Sequence, residues 1–337
     1  MKIKIASTLA LIGAALAMPV IAKAQNYPDM TIKFGDVVSH NFAYYQGILA
    51  FQKRLAEKSN GKIKVQIFTD GALGNFNDVL QATRNGTIQM SDQATPVTQS
   101  VAPLHAVFDL PFLFKDRESW KKVAYGPIGD EIGKTIESQG VKFLGFANGG
   151  GRGLLSRKPI KTPEDLKGAK VRVLPDPLIR DAFIALGAQP VTTDPKEMYT
   201  ALQQGVVDAL DLTVELAISY HLNEVGKYYT ETKQIMPAAL VIANMAWWNG
   251  LNRETQDLIQ SSVIDYFRPG SDSHVADIVP SDSLEKQKEQ GAALAQIGVT
   301  IVKPEIDAFV KATVAVREKY RQQLGPDMID KIIKAQE

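Results

Sequence analysis

Arg172 is the residue whose sequence context most clearly indicates a binding role. It lies in the segment Lys170-Val171-Arg172-Val173-Leu174, where alternation places the two valines on one face of a predicted strand and the arginine on the other. Because helices cover both faces of a parallel sheet, a guanidinium there needs a partner. Open α/β sheets bind ligands at the carboxyl ends of their strands, and a planar donor fork near that edge suits bidentate binding of a carboxylate. A structural ion pair with an Asp or Glu of the same chain is an equal alternative.

Other side chains that could contact a ligand lie elsewhere in the chain. Arg152 stands inside the glycine run Gly149–Gly153, which lets backbone approach a ligand, although a solvated loop arginine is the alternative. Asp208 and Asp211 either accept hydrogen bonds from ligand hydroxyls or are strand-end acids that face water. Trp247-Trp248 either stacks on a ligand or packs between structural elements, and packing is favoured.

The composition argues against catalysis and against resident cofactors. The chain has no cysteine, and its four histidines have no spacing typical of a metal site. Ile128–Thr135 approaches a phosphate-binding loop, but its first glycine lies one residue too close and the segment has a helical pattern. With 38 Lys and Arg against 37 Asp and Glu, the charge expected of a nucleic-acid-binding protein is missing. We therefore predict no catalytic residues, no cofactor, no metal and no nucleic-acid partner.

The first 24 residues have the pattern of a secretory signal peptide. A basic start at Met1–Lys4 is followed by the apolar run Ile5–Met18 and by Ala22-Lys23-Ala24, an A-x-A cleavage site. An uncleaved membrane anchor is the alternative, but the segment is short for a span, and no later stretch holds about eighteen uninterrupted apolar residues. Cleavage after Ala24 removes three lysines and no acid, so the exported chain would carry a formal charge of −2.

Strand and helix patterns alternate through the first two thirds of the chain. The predicted strands are Thr31–Gly35, Lys62–Phe68, Thr87–Ser91, Val141–Phe146, Lys170–Leu174 and Val206–Leu212. The predicted helices are Ala43–Lys58, Asp78–Asn85, Ile128–Gln139, a short one at Thr162–Asp165, Pro177–Leu186 and Lys196–Gln204. Alternation of β and α elements implies a largely parallel sheet with helices on both faces.

A helix, a glycine and a strand follow one another twice, first at Gly86 and again at Gly205. This repeat predicts an α/β protein of two similar domains with a cleft between them. From Asn252 onward the chain is mostly helical, with a strand at Val299–Val302, so we expect a helical tail that braces both domains. The predicted helices of this tail are Asn252–Phe267, Ser281–Gln296, Pro304–Tyr320 and Pro326–Lys334. After the signal peptide, we assign residues 25–149 and 238–277 to domain I and residues 150–237 and 278–337 to domain II.

A series of ordered motifs resembles one protein family over essentially the whole mature chain. The motifs are Gly71–Gly74, Asp109–Phe114, Pro163–Gly168 followed by Arg172-Val173, Leu186–Pro190, Glu197–Gln203, Gly205–Asp208 and Trp247-Trp248. The family is that of the periplasmic solute-binding subunits of tripartite ATP-independent periplasmic (TRAP) transporters, of the dicarboxylate-binding type. So many matches in order are more specific than any single motif.

The resemblance implies a periplasmic protein that closes two domains on a small carboxylate ligand. We separately predict that this protein is a monomer. It would catalyse no reaction and would deliver the ligand to membrane permease subunits driven by a sodium or proton gradient. In the family, the arginine after the P-E-D-L-K-G segment forms the main salt bridge to the ligand carboxylate, and a second arginine twenty residues earlier often assists. These positions are Arg172 and Arg152. The full set of predicted ligand contacts is Arg172, Arg152, Asp211, Leu212, Trp248, Phe76 and His40.

The sequence also departs from the family pattern. Where many members have D-G-x-E-N-P, this chain has Asp208–Thr213, so Leu212 replaces an asparagine that commonly touches the ligand. Asp194-Pro195 replaces a phenylalanine of many members. These differences favour a smaller or more apolar ligand tail than that of polyhydroxylated acids. Two alternative classes remain: the binding protein of an ATP-driven transporter, and a secreted α/β enzyme acting on carboxylates, for which no nucleophile, base and orienting group can be assembled.

Overall fold

The protein folds into two lobes, each built on one β-sheet, and the computed structural model describes residues 26–41, 44–147, 151–267 and 292–337. The strands are β1 (Met30–Gly35), β2 (Ile63–Phe68), β3 (Met90–Ala94), β4 (Val141–Ala147), β5 (Gly153–Ser156), β6 (Lys170–Val173), β7 (Gln189–Thr192), β8 (Ala209–Leu212), β9 (Tyr228–Thr230), β10 (Ala239–Asn244) and β11 (Thr300–Val302).

The α-helices are α1 (Tyr44–Lys58), α2 (Phe76–Arg84), α3 (Thr95–Thr98), α4 (Arg117–Ala124), α5 (Pro127–Gly133), α6 (Pro177–Ala185), α7 (Met198–Gln203), α8 (Val214–Ser219), α9 (Met245–Asn249), α10 (Arg253–Phe267), α11 (Ile306–Leu324) and α12 (Pro326–Ala335). Short 3₁₀ helices cover Pro103–Asp109, Lys134–Gln139, Pro163–Leu166, Pro195–Glu197 and Leu222–Glu224. The predicted helix Ile128–Gln139 is thus α5 followed by a 3₁₀ helix. Within the described ranges, no helix is both long enough and apolar enough to cross a membrane.

The first lobe consists of the sheet β2-β1-β3-β10-β4 with helices α1 to α5, α9 and α10. β1 runs parallel to β2 and β3, whereas β10 is antiparallel to β3 and β4. Along β10, Leu240 and Ile242 pack into one apolar core, and Val241 and Ala243 pack into another. Both faces of this sheet are therefore covered, which is why its central strand is apolar throughout.

The second lobe consists of the sheet β11-β9-β5-β8-β6-β7 with helices α6 to α8. β6 is parallel to β7 and β8, whereas β5 is antiparallel to β8 and β9. The prediction of a largely parallel sheet is wrong for β5 and β10. Each of these strands follows a strand of the opposite lobe, so the chain crosses between lobes and enters the new sheet in the reverse direction.

The two lobes share one arrangement, in which three parallel strands are followed by an antiparallel strand and then by a fifth strand. The repeated unit occupies equivalent places, because α2 leads through Gly86 into β3 and α7 leads through Gly205 into β8. Both glycines adopt positive φ angles, 77° and 73°, in the left-handed region that ends a helix without a steric penalty for glycine. The prediction of two similar α/β domains is confirmed. β3 begins at Met90, three residues later than predicted.

The C-terminal helices contact both lobes. α11 packs on α6 and on the 3₁₀ helix Pro163–Leu166 of the second lobe, and it also contacts the 3₁₀ helix Pro103–Asp109 of the first. α12 packs on α4, and its Ile329 and Ile332 belong to a core of the first lobe. The tail therefore braces both lobes, as predicted. Most of the helix predicted at Ser281–Gln296 lies outside the described residues, and the exact domain boundaries stay a prediction.

Candidate ligand-binding site

Arg172 lies on β6 in the interior of the second lobe and is only 1% exposed. Val171 and Val173 pack into an apolar core on the other face of the strand, as the alternation predicts. The guanidinium donates from Nε and Nη2 to the backbone carbonyl of Thr193, at 3.1 and 2.9 Å. In the described part of the chain no carboxylate forms an ion pair with Arg172, so the structural ion pair considered as its alternative role is not found there.

Arg152 lies just before β5 in the same lobe and has different partners. Its Nε is 2.8 Å from Oδ2 of Asp211, and its Nη2 donates to the Asp211 carbonyl oxygen. Both side chains are buried, with exposed fractions of 4% and 0%. Nε2 of Gln234 donates to the other carboxylate oxygen of Asp211 at 2.9 Å. Arg152 is therefore a member of a buried ion pair and is not a solvated loop arginine.

The electrostatics of this region follow from burial. Burial lowers the pKa of Arg172 to about 10, and the positive charge of Arg152 acts in the same direction. Burial raises the pKa of Asp211, and this effect is opposed mainly by Arg152. The positive charges of Arg152 and Arg172 thus act on each other, but only Arg152 forms an ion pair with Asp211 among the described residues. The arrangement favours a negatively charged group beside Arg172.

Two further buried acids near Arg152 were not identified as site residues from the sequence. Asp109 ends a 3₁₀ helix of the first lobe, and burial raises its pKa well above the ordinary range. Asp176 caps α6, where its Oδ1 accepts from the N–H groups of Leu178 and Ile179, and burial raises its pKa to about 6. The positive charge of Arg152 opposes both shifts, and among the described residues neither acid forms an ion pair with Arg172.

A cavity of about 130 Å³ lies between the lobes. Its walls come from Val37, Ser39, Asp70, Gly71, Gly74 and Asn75 of the first lobe and from Asp194, Pro195, Lys196 and Tyr220 of the second. The Tyr220 hydroxyl accepts a hydrogen bond of 3.2 Å from the Ser39 N–H and thereby joins the two lobes. The sequence offered two signals for these walls, the motif Gly71–Gly74 and the departure at Asp194-Pro195, and none for Tyr220.

His40 and Phe76 lie beside this cavity. His40 is exposed, and its Nδ1 is 3.0 Å from both carboxylate oxygens of Asp70, which is a wall residue. Phe76 is the first residue of α2, directly after the wall residue Asn75, and its partly buried ring packs against the apolar cores of the first lobe. Both residues are thus neighbours of wall residues, and their contact with a ligand stays a prediction.

Leu212 and Trp248 are both buried in apolar cores. Leu212 belongs to a core of the second lobe. Because Arg172 stands opposite Leu210 and side chains alternate along β8, Leu212 lies on the same face of the sheet as Arg172, whereas Asp211 lies on the opposite face. Trp248 is 7% exposed within a core of the first lobe. Its position corresponds to the packing alternative and does not support the predicted ligand contact.

Gly153, the last glycine of the run and the first residue of β5, must be glycine for a structural reason. A Cβ on Gly153 would lie 2.5 Å from the Thr230 carbonyl oxygen and 2.6 Å from the Tyr229 ring, both in β9. Only glycine allows this approach of the two strands. The close backbone contact at Gly153 is therefore made with the neighbouring strand, and it fixes the position of Arg152 beside it.

Two lobes of equivalent topology, with buried arginines in one lobe and a cavity between them, define a two-lobed binding protein of the extracellular solute-binding class. The family model for bacterial extracellular solute-binding protein, family 7 (DctP), matches residues 34–323. The chain belongs to this family, and the family identified from the sequence motifs is confirmed.

Named relatives agree with this assignment. The chain is 32% identical over 233 residues to the 2,3-diketo-L-gulonate-binding periplasmic protein YiaO of Escherichia coli K12. The aligned region covers 69% of this chain and 71% of that protein. It is 28% identical over 310 residues to the C4-dicarboxylate-binding periplasmic protein DctP of Vibrio cholerae, which covers 91% of each.

Solved structures with the same fold contain bound acids. A TRAP periplasmic solute-binding protein from Pseudomonas putida F1 with bound D-glucuronate is 28% identical, covers 90% of this chain and 96% of its own, and superposes with a TM-score of 0.81. A second TRAP periplasmic solute-binding protein, from Ralstonia eutropha H16 with bound (S)-2-acetolactate, is 25% identical to this chain. The match covers 91% of this chain and 98% of that one, with a TM-score of 0.84. The predicted fold class is confirmed.

Proposed function

We propose that this protein binds a small organic acid between its two lobes in the periplasm and delivers it to the membrane subunits of a TRAP transporter. The observation that carries the proposal is the guanidinium of Arg172, which is 1% exposed and whose hydrogen bonds within the described residues end on one neutral carbonyl. Burying a charge without a counter-charge is costly, and arginine keeps its proton at physiological pH. Asp211 and Asp194 favour the charged form of Arg172 from a distance, and a ligand carboxylate would supply a direct ion-pair partner.

The two arginines also have donors available for such a carboxylate. Among the described residues, Nη1 of Arg172 and Nη1 of Arg152 make no hydrogen bond, because the bonds of both side chains use Nε and Nη2. Charge-assisted hydrogen bonds from guanidinium to carboxylate are among the strongest in proteins. Asp211 would hold Arg152 in place, and Arg172 would make the principal contact with the ligand.

The class of acid is suggested by relatives together with Leu212. The structures named above hold D-glucuronate and (S)-2-acetolactate, each of which carries a carboxylate and further oxygen substituents. For this chain we propose a carboxylic acid that carries fewer hydroxyl groups than D-glucuronate. Leu212 shares the sheet face of Arg172 and would give part of the pocket an apolar wall, which favours a smaller or less hydroxylated tail.

Three finer points belong to the same proposal. We propose that the signal peptide is cleaved after Ala24, that the exported protein is a monomer, and that it returns its ligand chemically unchanged. Mass spectrometry of the exported chain, sedimentation analysis and recovery of the acid after long incubation test them in turn. A different N-terminus, a stable dimer or a converted acid would contradict the respective point.

The binding proposal is tested by the Arg172→Ala variant. A thermal-shift screen of organic acids, including D-glucuronate, (S)-2-acetolactate and succinate, identifies binders, because an acid at about a hundred times its Kd stabilises by about 2.7 kcal/mol. We expect Arg172→Ala to lose about 2–5 kcal/mol of binding free energy by calorimetric titration, since the carboxylate would lose its partner. Arg157→Ala is the control, because Arg157 pairs with Asp208 at the exposed surface. An affinity of Arg172→Ala within threefold of the unmodified protein would refute the proposal.

A further inference from the structure

Tyr220 is a side chain of the second lobe that contacts the first lobe directly at the cavity. It directly follows α8, the helix that comes after β8, and therefore lies one short helix beyond Asp211 and Leu212. Its ring lines the cavity between the lobes. Its hydroxyl oxygen accepts the N–H of Ser39, a wall residue of the first lobe, at 3.2 Å.

The hydroxyl proton of Tyr220 has no acceptor among the described residues. A phenol both donates and accepts, and the hydrogen bond from Ser39 uses only the acceptor. The charged groups that act on Tyr220 are Asp36 and Asp70 of the first lobe and Arg172 of the second. Burial raises the pKa of Tyr220 to about 12, so the hydroxyl keeps its proton at neutral pH. A proton donor thus borders the cavity, and the positive charge of Arg172 acts on it although Arg172 is not itself a wall residue.

We propose that Tyr220 is a ligand contact that also links the ligand to the first lobe. In this arrangement its O–H donates to an oxygen of the acid held by Arg172, while its oxygen accepts the Ser39 N–H. Donation to an anion makes the phenol oxygen a better acceptor, because successive hydrogen bonds polarise one another. The bound acid therefore strengthens the hydrogen bond between the lobes. This inference rests on the function proposed above and adds a second-lobe donor that is not an arginine.

A neighbouring contact between the lobes provides the control. The Ser219 hydroxyl donates to the Asn41 carbonyl oxygen at 3.4 Å, so it joins the lobes without lining the cavity. A second control is Tyr199, whose hydroxyl donates to Glu224 at 2.7 Å within the second lobe. Tyr220→Phe removes the donor and the acceptor. Ser219→Ala removes only a bond between lobes, and Tyr199→Phe removes only a surface tyrosine hydroxyl.

The experiment compares the three variants with the unmodified protein and with Arg172→Ala. Kd values are measured by calorimetric titration with D-glucuronate, (S)-2-acetolactate and succinate, and dissociation rates by stopped-flow. Thermal melting of the ligand-free variants checks folding. We expect Tyr220→Phe to raise Kd about ten- to a hundredfold, the range for a hydrogen bond to a charged group, mostly through faster dissociation. Ser219→Ala and Tyr199→Phe should stay within about threefold of the unmodified protein.

Other outcomes would refute either the ligand contact of Tyr220 or the proposed function. A Kd of Tyr220→Phe within threefold of the unmodified protein, with Arg172→Ala strongly impaired, would refute the role of Tyr220 and leave the proposed function intact. Equal losses in Tyr220→Phe and Ser219→Ala would show that the hydroxyl acts only between the lobes, which also refutes the ligand contact. If none of the three acids bound the unmodified protein, or if Arg172→Ala bound them normally, the proposed function would fail as well.

Discussion

Arg152 and Arg172 are two arginines of one lobe that are buried to almost the same extent but have opposite surroundings. Arg152 donates to a carboxylate that Gln234 also holds. Among the described residues, Arg172 donates to a single backbone carbonyl, and the positive charge of Arg152 disfavours the charged form of its guanidinium. Burial alone therefore does not distinguish a structural arginine from a ligand-binding one. The distinction lies in the ion pair: Arg152 forms one with Asp211, whereas among the described residues no carboxylate lies within ion-pair distance of Arg172.

The difference has an energetic consequence for the ligand-free protein. A buried ion pair recovers much of the cost of desolvating its two charges, whereas an unpaired buried cation does not. The fold thus retains at Arg172 an unfavourable interaction that the surrounding cores must offset. Such a conflict between local stability and placement is expected at functional sites. Substitutions at the two arginines should consequently have different effects on folding and on binding.

The largest effect is expected from Arg152→Ala on folding. Removing the arginine leaves Asp211 as a fully buried carboxylate without its cation, and we expect the free energy of unfolding to fall by about 3–5 kcal/mol. Urea unfolding of the ligand-free protein at pH 8 measures the change. Arg157→Ala, which opens the exposed pair with Asp208, should cost less than about 1 kcal/mol. Arg172→Ala should cost less than Arg152→Ala, because it removes two hydrogen bonds and packing contacts but leaves no carboxylate without its ion-pair partner. Equal losses at Arg152 and Arg172 would contradict the comparison.

Local sequence patterns were sufficient to predict that both arginines are site residues and that the protein has two similar lobes. Alternation around Arg172 and the family motifs identified both arginines, and the repeated glycines indicated two similar lobes. The pairing of Arg152 with Asp211, 59 residues later, depends on the antiparallel pairing of β5 with β8, which local patterns do not encode. The antiparallel strands were missed for the same reason, since their direction is set by crossings between lobes.

Other misses concern groups that carry no sequence signal. The partner of Arg172 is the backbone carbonyl of Thr193, and a backbone acceptor is present at every residue. Tyr220 is one of ten tyrosines, and only the closeness of Ser39, 181 residues away, distinguishes it. The stacking role considered for Trp248 competed with packing, and its apolar surroundings account for its place in the core.

A smaller effect should appear in the first lobe, where a buried acid avoids an unpaired charge by keeping a proton. Asp36 follows β1 and neighbours Asp92 of β3, because Gly35 stands opposite Ser91. Burial raises the pKa of Asp36 from 3.8 to about 7 and raises the pKa of its buried neighbour Asp92 well above its ordinary range, so the two acids titrate as a pair. The folded state then binds a proton that the unfolded chain releases between these values, so stability falls as pH rises from 4 to 7. Arginine has no such alternative at neutral pH.

The Asp36→Asn variant tests this explanation. The Asp36 Oδ1 atom accepts the Val38 N–H at 2.9 Å, and asparagine keeps an acceptor there. The substitution removes one titrating group of the pair and the negative charge that raises the pKa of Asp92. We expect the variant to gain about 2 kcal/mol of unfolding free energy relative to the unmodified protein between pH 5 and pH 8. Asp208→Asn is a control of opposite sign, because hydrogen bonding lowers the pKa of that exposed acid. A difference between Asp36→Asn and the unmodified protein that does not change with pH would contradict the assignment.

The smallest expected effect separates the charge of Arg172 from its geometry. Arg172→Lys keeps a cation but loses the planar fork, which here uses Nε and Nη2 for Thr193 and leaves Nη1 for a ligand. An ammonium cannot satisfy the carbonyl and a carboxylate from the same fixed positions, so we expect a loss of about 1–2 kcal/mol of binding free energy, between the unmodified protein and Arg172→Ala. Burial and the neighbouring Arg152 should also lower the pKa of a lysine at this position more readily than that of arginine, so its binding should weaken further from pH 6 to pH 9. Calorimetric titration of D-glucuronate and (S)-2-acetolactate at both pH values measures the two effects. Full affinity in the lysine variant at both pH values would mean that a positive charge alone is sufficient for binding. The two arginines would then differ in the ion pair that Arg152 forms with Asp211, and not in the geometry of their donors.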